Sequence, residues 1–240
     1  MSATSKEDFL ASIAELEAQL ADAPAEMRPM VEQQIANMRG MLPMFAKIDE
    51  GRARYAAHRP ELLGPVKAFF TPEPPCEIPS WIPDSLTRAE ASEDMLRCPE
   101  GARVYVFEDS MGCAVPQGPG AIPMRHGLQL NFYKSTGGLE SQSFYENGCL
   151  RWSIHYHATG GRSSLGHYVG NEPKVYLEQG VHTAFAPNGC ITSQSAWWQG
   201  TRHGWTKLWE EDGYPILGTF YENGKASGEM GADGSQRRLD

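Results

Sequence analysis

Leu139-Glu-Ser-Gln-Ser-Phe-Tyr-Glu-Asn-Gly148 lies without a gap over Ile191-Thr-Ser-Gln-Ser-Ala-Trp-Trp-Gln-Gly200, and its second half returns identically as Phe220-Tyr-Glu-Asn-Gly224. His167-Tyr-Val-Gly170 holds the same place in a unit between them. The closing glycines stand 22, 30 and 24 residues apart, a unit of about 23 with one insertion near Glu172–Gly180. Arg125-His-Gly127 likewise returns as Arg202-His-Gly204. Self-similarity at a short fixed period means that each unit is one supersecondary element, which buries its apolar side against its neighbours.

The units read as β-hairpins. Asn147-Gly148, Asn188-Gly189, Asp212-Gly213 and Asn223-Gly224 are dipeptides that tight hairpins favour, because glycine accepts positive φ. Between them apolar and polar residues alternate. Leu150, Trp152, Ile154 and Tyr156 should share one face, opposite Arg151, Ser153, His155 and His157, and Leu128, Leu130 and Phe132 repeat the pattern. The expected product is an elongated, single-layer antiparallel β-meander of about eight short strands. Residues 101–115 read as a degraded first half-unit, whereas Arg162–Asn171 and Glu172–Gly189 fit the pattern loosely.

The Y-x-N-G closing, the hairpin of about 23 residues and the interior R-H-G resemble the MORN-type repeat. More closely, they resemble the bacterial variant in YwqK-type antitoxin and immunity-like proteins. The resemblance runs from Arg125 to Glu229, under half of the chain. It implies a scaffold, a protein-binding module or a neutraliser of a partner, and no catalysis of its own.

Outside the repeats the pattern changes. Leu10, Ile13, Leu16 and Leu20 recur at helical spacing after Ser5, a candidate cap. Val31, Ile35, Met38 and Leu42 form a second stripe, which Gly40 and Pro43 should bring to an end before a short helix around Phe45–His58. Met27, Met30, Met38, Met41 and Met44 are five of the ten methionines. They fill a core between two helices or line an adaptable groove for a partner, with Met30, Met38 and Met41 as candidate contacts. Five prolines between Phe70 and Pro83 then make a semi-extended connector, tacked down by Trp81 and Ile82. The expected organisation of this α+β chain is a helical hairpin over 1–60, a proline-rich connector over 61–100, the repeats over 101–230 and a flexible tail over 231–240.

Composition narrows the function. With 21 Lys+Arg against 30 Asp+Glu, the chain lacks the dense basic face of a nucleic-acid or anionic-membrane binder. No apolar run reaches the length of a membrane span, and no secretory tract opens the sequence, so a cytoplasmic setting is expected. No C-x-x-C pair occurs among Cys76, Cys98, Cys113, Cys149 and Cys190, which read as reduced, buried thiols. Neither a cofactor nor a metal is expected. His155 and His157 lack a third ligand fixed by spacing, and Gly160-Gly-Arg-Ser-Ser-Leu-Gly166 lacks the lysine of a phosphate loop. Five of six tryptophans fall between Trp152 and Trp209, and adjacent Trp197 and Trp198 must point to opposite faces of a strand. Either another segment covers one face, or Trp197, Trp198, Trp205 and Trp209 offer an aromatic platform to a partner. The expectation is a non-catalytic module that sequesters or inhibits a protein partner: a toxin, a protease or a regulatory factor such as a sigma factor. The alternative is a self-assembling scaffold, a homo-oligomer built on open sheet edges.

Overall fold

The computed structural model describes residues 6–22, 24, 27–57, 59, 61–62, 64–173 and 175–239. The chain divides into two compact units, Met1–Glu61 and Leu62–Asp240.

The first unit is a pair of packed helices, α1 (Lys6–Asp22) and α2 (Arg28–Ala57). Ile13 and Ile35 are its buried hydrophobic residues, while Leu16, Leu20, Val31, Met38 and Leu42 are half-buried. Glu17 and Arg39 pair across the helices. The expected stop at Pro43 does not occur: α2, 30 residues in all, runs through it to Ala57, over the stretch expected to hold a separate short helix. An interior proline removes one helical hydrogen bond and costs about 3 kcal/mol. The backbone hydrogen bonds of the turns on either side carry the helix past that single loss. Ser5 and the Met44 side chain lie outside the described residues.

The second unit contains one sheet of twelve strands in strict sequence order, every neighbouring pair antiparallel. The strands are β1 (Arg103–Val106), β2 (Ser110–Val115), β3 (Met124–Phe132), β4 (Leu139–Glu146), β5 (Cys149–Tyr156) and β6 (Arg162–Val169). They continue as β7 (Leu177–Phe185), β8 (Ile191–Trp198), β9 (Thr201–Trp209), β10 (Pro215–Glu222), β11 (Lys225–Gly231) and β12 (Gln236–Arg238). The meander is as expected, with more strands than eight. The half-unit at 101–115 supplies β1 and β2, and the expected tail supplies β12 after a turn in which the Gly231 N–H donates to the Ser235 carbonyl.

The repeat has a physical lock. Asn147-Gly148, Gln199-Gly200 and Asn223-Gly224 all have positive φ at both positions, the conformation of a tight hairpin. In each, the turn glycine N–H donates to a carbonyl on the preceding hairpin: Arg125, Glu178 and Arg202 respectively, at 2.8–2.9 Å. The residue before each glycine also donates its N–H, to His126 Nδ1, Gln179 Oε1 and His203 Nδ1. Glu178-Gln-Gly180 therefore does the work of Arg-His-Gly with an amide oxygen in place of an imidazole nitrogen. The loosely fitting stretch holds a true repeat under a changed spelling.

A register shift between Phe144 and Tyr145 corrects one facial assignment. Phe144 pairs with Trp152, but Tyr145 pairs with Leu150, so Arg151 is the extra residue of a bulge. Leu150 thus moves to the face opposite Trp152, while Trp152, Ile154 and Tyr156 join the main core with Leu96, Leu128, Leu130, Phe132 and Leu139.

The connector is a strap. Short helix α3 (Gly64–Phe70) places Phe69 over Gly218 of β10, 2.8 Å from where a Cβ would stand, so any side chain there would displace the ring. The chain then crosses the strands in reverse order. Glu73 exchanges backbone hydrogen bonds with the Gln194 amide on β8, the Glu77 carbonyl meets His167 on β6, and Ser80 and Ile82 bond Gln142 on β4. From β10 to β4 is roughly 29 Å at ~4.8 Å per strand. Eleven residues cover it at about 2.6 Å each, extended but short of the ~3.1 Å rise of the polyproline II conformation that prolines favour. Ile82 is buried, and Trp81 Nε1–H donates to the Met95 carbonyl.

The strap ends in a correction. Cys98 and Cys113 form a disulfide that ties it to β2, whereas all five cysteines were expected to be reduced. The 3-10 turn Glu93–Leu96, just before Cys98, packs on β2 and β3, and this packing joins two residues 15 apart that no spacing motif connects.

Candidate functional site

Gln142 and Gln194 occupy equivalent repeat positions, and both are buried with their amides turned to the strap. Gln142 also donates to the Tyr156 hydroxyl, which donates to Asp84; Asp84 in turn pairs with Arg162. Burial and the Asp84 carboxylate push the Tyr156 phenol far above its ordinary range, so it is a fixed donor. This face is occupied by the chain itself.

The opposite face is open. Reading the register across neighbouring strands, Tyr105, Gly112, Gln129, Ser143, Ser153 and Gly166 form one row. Ser195, Thr206 and Thr219 form another farther along. Beside these rows stand Tyr145, Tyr168, Trp197 and Tyr221. Arg125 donates to the Tyr145 hydroxyl at 3.0 Å, and Arg202 lies 5.2 and 5.3 Å from the ring centres of Trp197 and Tyr221. Burial raises the Tyr145 phenol pKa, with the Arg125 cation opposing it. The His182 ring covers Gly166, and burial holds its pKa below the ordinary value.

Two concavities interrupt this face. One of about 180 Å³ is lined by Ser153, Tyr168, His182, Ser195 and Trp197. The other, of about 220 Å³, is a trough over β2. Its floor includes Ser110 and Ala114, with the Gln129 amide laid over Gly112 between them, and its walls carry Tyr105 and Phe107 on one side and Arg125 and Asn131 on the other. Among the described residues, no group of three or more His, Cys, Asp or Glu is placed to hold a metal ion. His155 is exposed, and His157 Nε2 meets the Phe185 carbonyl at 3.0 Å.

The tryptophans named from the sequence separate. Trp209 is 3% exposed, and its indole N–H donates to the Phe70 carbonyl. Trp205 packs edge-on against Phe69 at 4.7 Å. Both therefore serve the α3 side of the sheet and cannot form one platform with Trp197, which faces His182 on the open side. Trp198 is 60% exposed beside the hairpin turn. Of the candidate methionines, Met30 is 61% and Met41 42% exposed, while Met38 is half-buried. Sequence reasoning missed the trough. Its lining residues share a surface only through the pairing of β1, β2 and β3; the small residues at alternate positions 110, 112 and 114 were the available signal.

No family model and no curated protein matches this chain. Among solved structures, a chain of the Glycosylation Associate Protein (Gap123) complex from Streptococcus agalactiae is similar over 59% of this chain, at 13% identity and a TM-score of 0.25. The match spans 20% of that chain's length. Among the described residues, no helix is long and apolar enough to cross a membrane.

Proposed function

We propose that this chain is a non-catalytic protein-binding module that sequesters or inhibits a partner, in the manner of an antitoxin or immunity protein. The observation that carries the reading is the asymmetry of the sheet. One face holds an extended segment of its own chain through repeat-borne side chains; on the other Trp197 and the Arg202–Tyr221 pair lie uncovered among the described residues, while Tyr145 is buried against Tyr176. A repeat sheet that grips one extended segment is suited to gripping a second. Exposed Met30 and Met41 give the helical unit an adaptable apolar contact of its own. A cytoplasmic site of action goes with this reading.

The test is capture from the native host with the full chain as bait, followed by mass spectrometry and native mass measurement. One stoichiometric partner, lost in Trp197→Ala and retained in Trp198→Ala, is the expected result. Retention in both variants removes the open face from the reading. The unpaired outer edges of β1 and β12 favour the second reading, a self-assembling scaffold. A mass that is a multiple of 26.5 kDa with no other protein present selects it.

A further inference from the structure

We propose that the trough over β2 is a binding site for a small hydroxyaryl carboxylate: a single aromatic ring with an acid arm at one end and a hydrogen-bond donor at the other. The inference does not depend on the partner-binding reading above.

Size comes first. At about 220 Å³ the trough falls below the ~300–1,000 Å³ of sites for drug-sized ligands, so it suits one ring and a short chain. Its shape follows from the strands. Ser110 and Ala114 present almost no side chain, and between them the Gln129 amide lies across Gly112, where a Cβ would otherwise stand. The trough follows β2 from Ser110 to Ala114, about 14 Å at ~3.4 Å per residue, with that amide as the middle of its floor. Tyr105, Phe107 and Tyr145 line it with aromatic rings, and Ile122 stands at the rim. Phe107 is 64% and Ile122 88% exposed, a cost in water that an aromatic ligand would relieve.

The two ends differ in chemistry. At one end Arg103, Ala114 and Arg125 are in register; the Arg125 guanidinium lines the trough and lies 5.2 Å from the centre of the Tyr145 ring, while Arg103 stands outside the lining. Arg125 gives one N–H to Tyr145, and neither arginine is paired with a carboxylate among the described residues. Guanidinium presents five donors in a fork that matches a carboxylate. At the other end Asn131 donates Nδ2 to Ser141, which turns its amide oxygen free to accept; between the ends Gln129 Nε2 donates to the Cys113 carbonyl. An acid at Arg125 and a phenolic hydroxyl at Asn131 satisfy both ends, with the ring over the Gln129 amide and between the aromatic walls. Such a group is available as a free acid or as the C-terminal tyrosine of a polypeptide.

The repeat supplies an internal control. Arg202 makes the same contact with Tyr221 that Arg125 makes with Tyr145, but far from the trough. The experiment is calorimetric titration of the full chain with 3-(4-hydroxyphenyl)propanoate, with its neutral amide, and with Gly-Gly-Tyr as free acid. Binding of the acid, at least tenfold weaker for the amide, is expected. Arg125→Gln should lose tenfold or more, Arg202→Gln should bind as the unaltered chain, and Ser110→Leu should abolish binding by filling the floor. Thermal unfolding of each variant confirms that it folds, and Asn131→Ala offers a milder probe of the opposite end. Tighter binding of Gly-Gly-Tyr than of the propanoate assigns the source to a polypeptide C-terminus. No binding by either acid, or equal losses in Arg125→Gln and Arg202→Gln, overturns the proposal.

Discussion

Gln142 and Ser143 are neighbours on β4, yet they have different fates. The first is fully buried and spends its amide on the strap and Tyr156; the second lines the open trough. The same division runs through Gln194 and Ser195, the equivalent residues of a later repeat. Each strand thus divides its residues between a face that holds the chain together and a face that is free to bind. Stability should respond to changes on the first, and binding to changes on the second.

The largest expected effect lies under α3. Trp209→Ala removes a buried indole and its bond to Phe70, and should cost roughly 3–5 kcal/mol in chemical denaturation. A loss below 1 kcal/mol would mean that α3 does not hold this part of the sheet. Reduction of Cys98–Cys113, or Cys98→Ser, comes next. Releasing a loop of this length costs about 3 kcal/mol in the chain-entropy account, read as a lower Tm with reductant. Such a bond is rare in a reducing compartment, so the redox state of these thiols in cell extracts also tests the cytoplasmic setting. Gln142→Ala leaves Ser80 and Tyr156 without their amide partner and should cost about 1–3 kcal/mol, with earlier proteolysis inside residues 72–98.

Acid probes the open face. Burial lowers the His182 pKa in the fold below its unfolded value of 6.5, so the unfolded chain takes up the proton first. Its contribution is complete above pH 6.5 and is lost as pH falls through the lower folded value. His182→Gln should flatten that part of the stability profile; an unchanged profile would show that His182 does not titrate there. The smallest effect belongs to Trp198→Ala, which should shift stability by no more than about 0.5 kcal/mol because the ring is already in water.

Much of this molecule was legible in its sequence because hairpin repeats are local. Asn-Gly turns, alternating residues and the return of Phe-Tyr-Glu-Asn-Gly specify strands and their order within a few residues of one another. Even the strand that was missed has a local signal, since Asp233-Gly234 forms the same kind of turn as Asn188-Gly189 and Asp212-Gly213, with positive φ at the glycine and a side-chain oxygen accepting the N–H two residues on. Helical spacing similarly identified α1 and α2, although a single proline was given more weight than the helix formers around it. The facial assignment of Leu150 failed for another reason. A bulge inserts one residue and inverts a period-two pattern, and nothing at Arg151 announces it.

By itself, the sequence determined an α+β chain whose β part is a consecutive antiparallel meander, since each hairpin needs only its own turn and its neighbour's apolar side. Only the tertiary structure decided which face of that meander is used up. Proline composition marks residues 71–83 as extended but does not say where they lie. Their course depends on hydrogen bonds between residues as far apart as Glu73 and Gln194, on the disulfide from Cys98 to Cys113, and on rings seated over a glycine. Those long-range contacts cover Trp205 and Trp209 and leave Trp197 and the trough on the other face, because they join residues that only the folded sheet brings together.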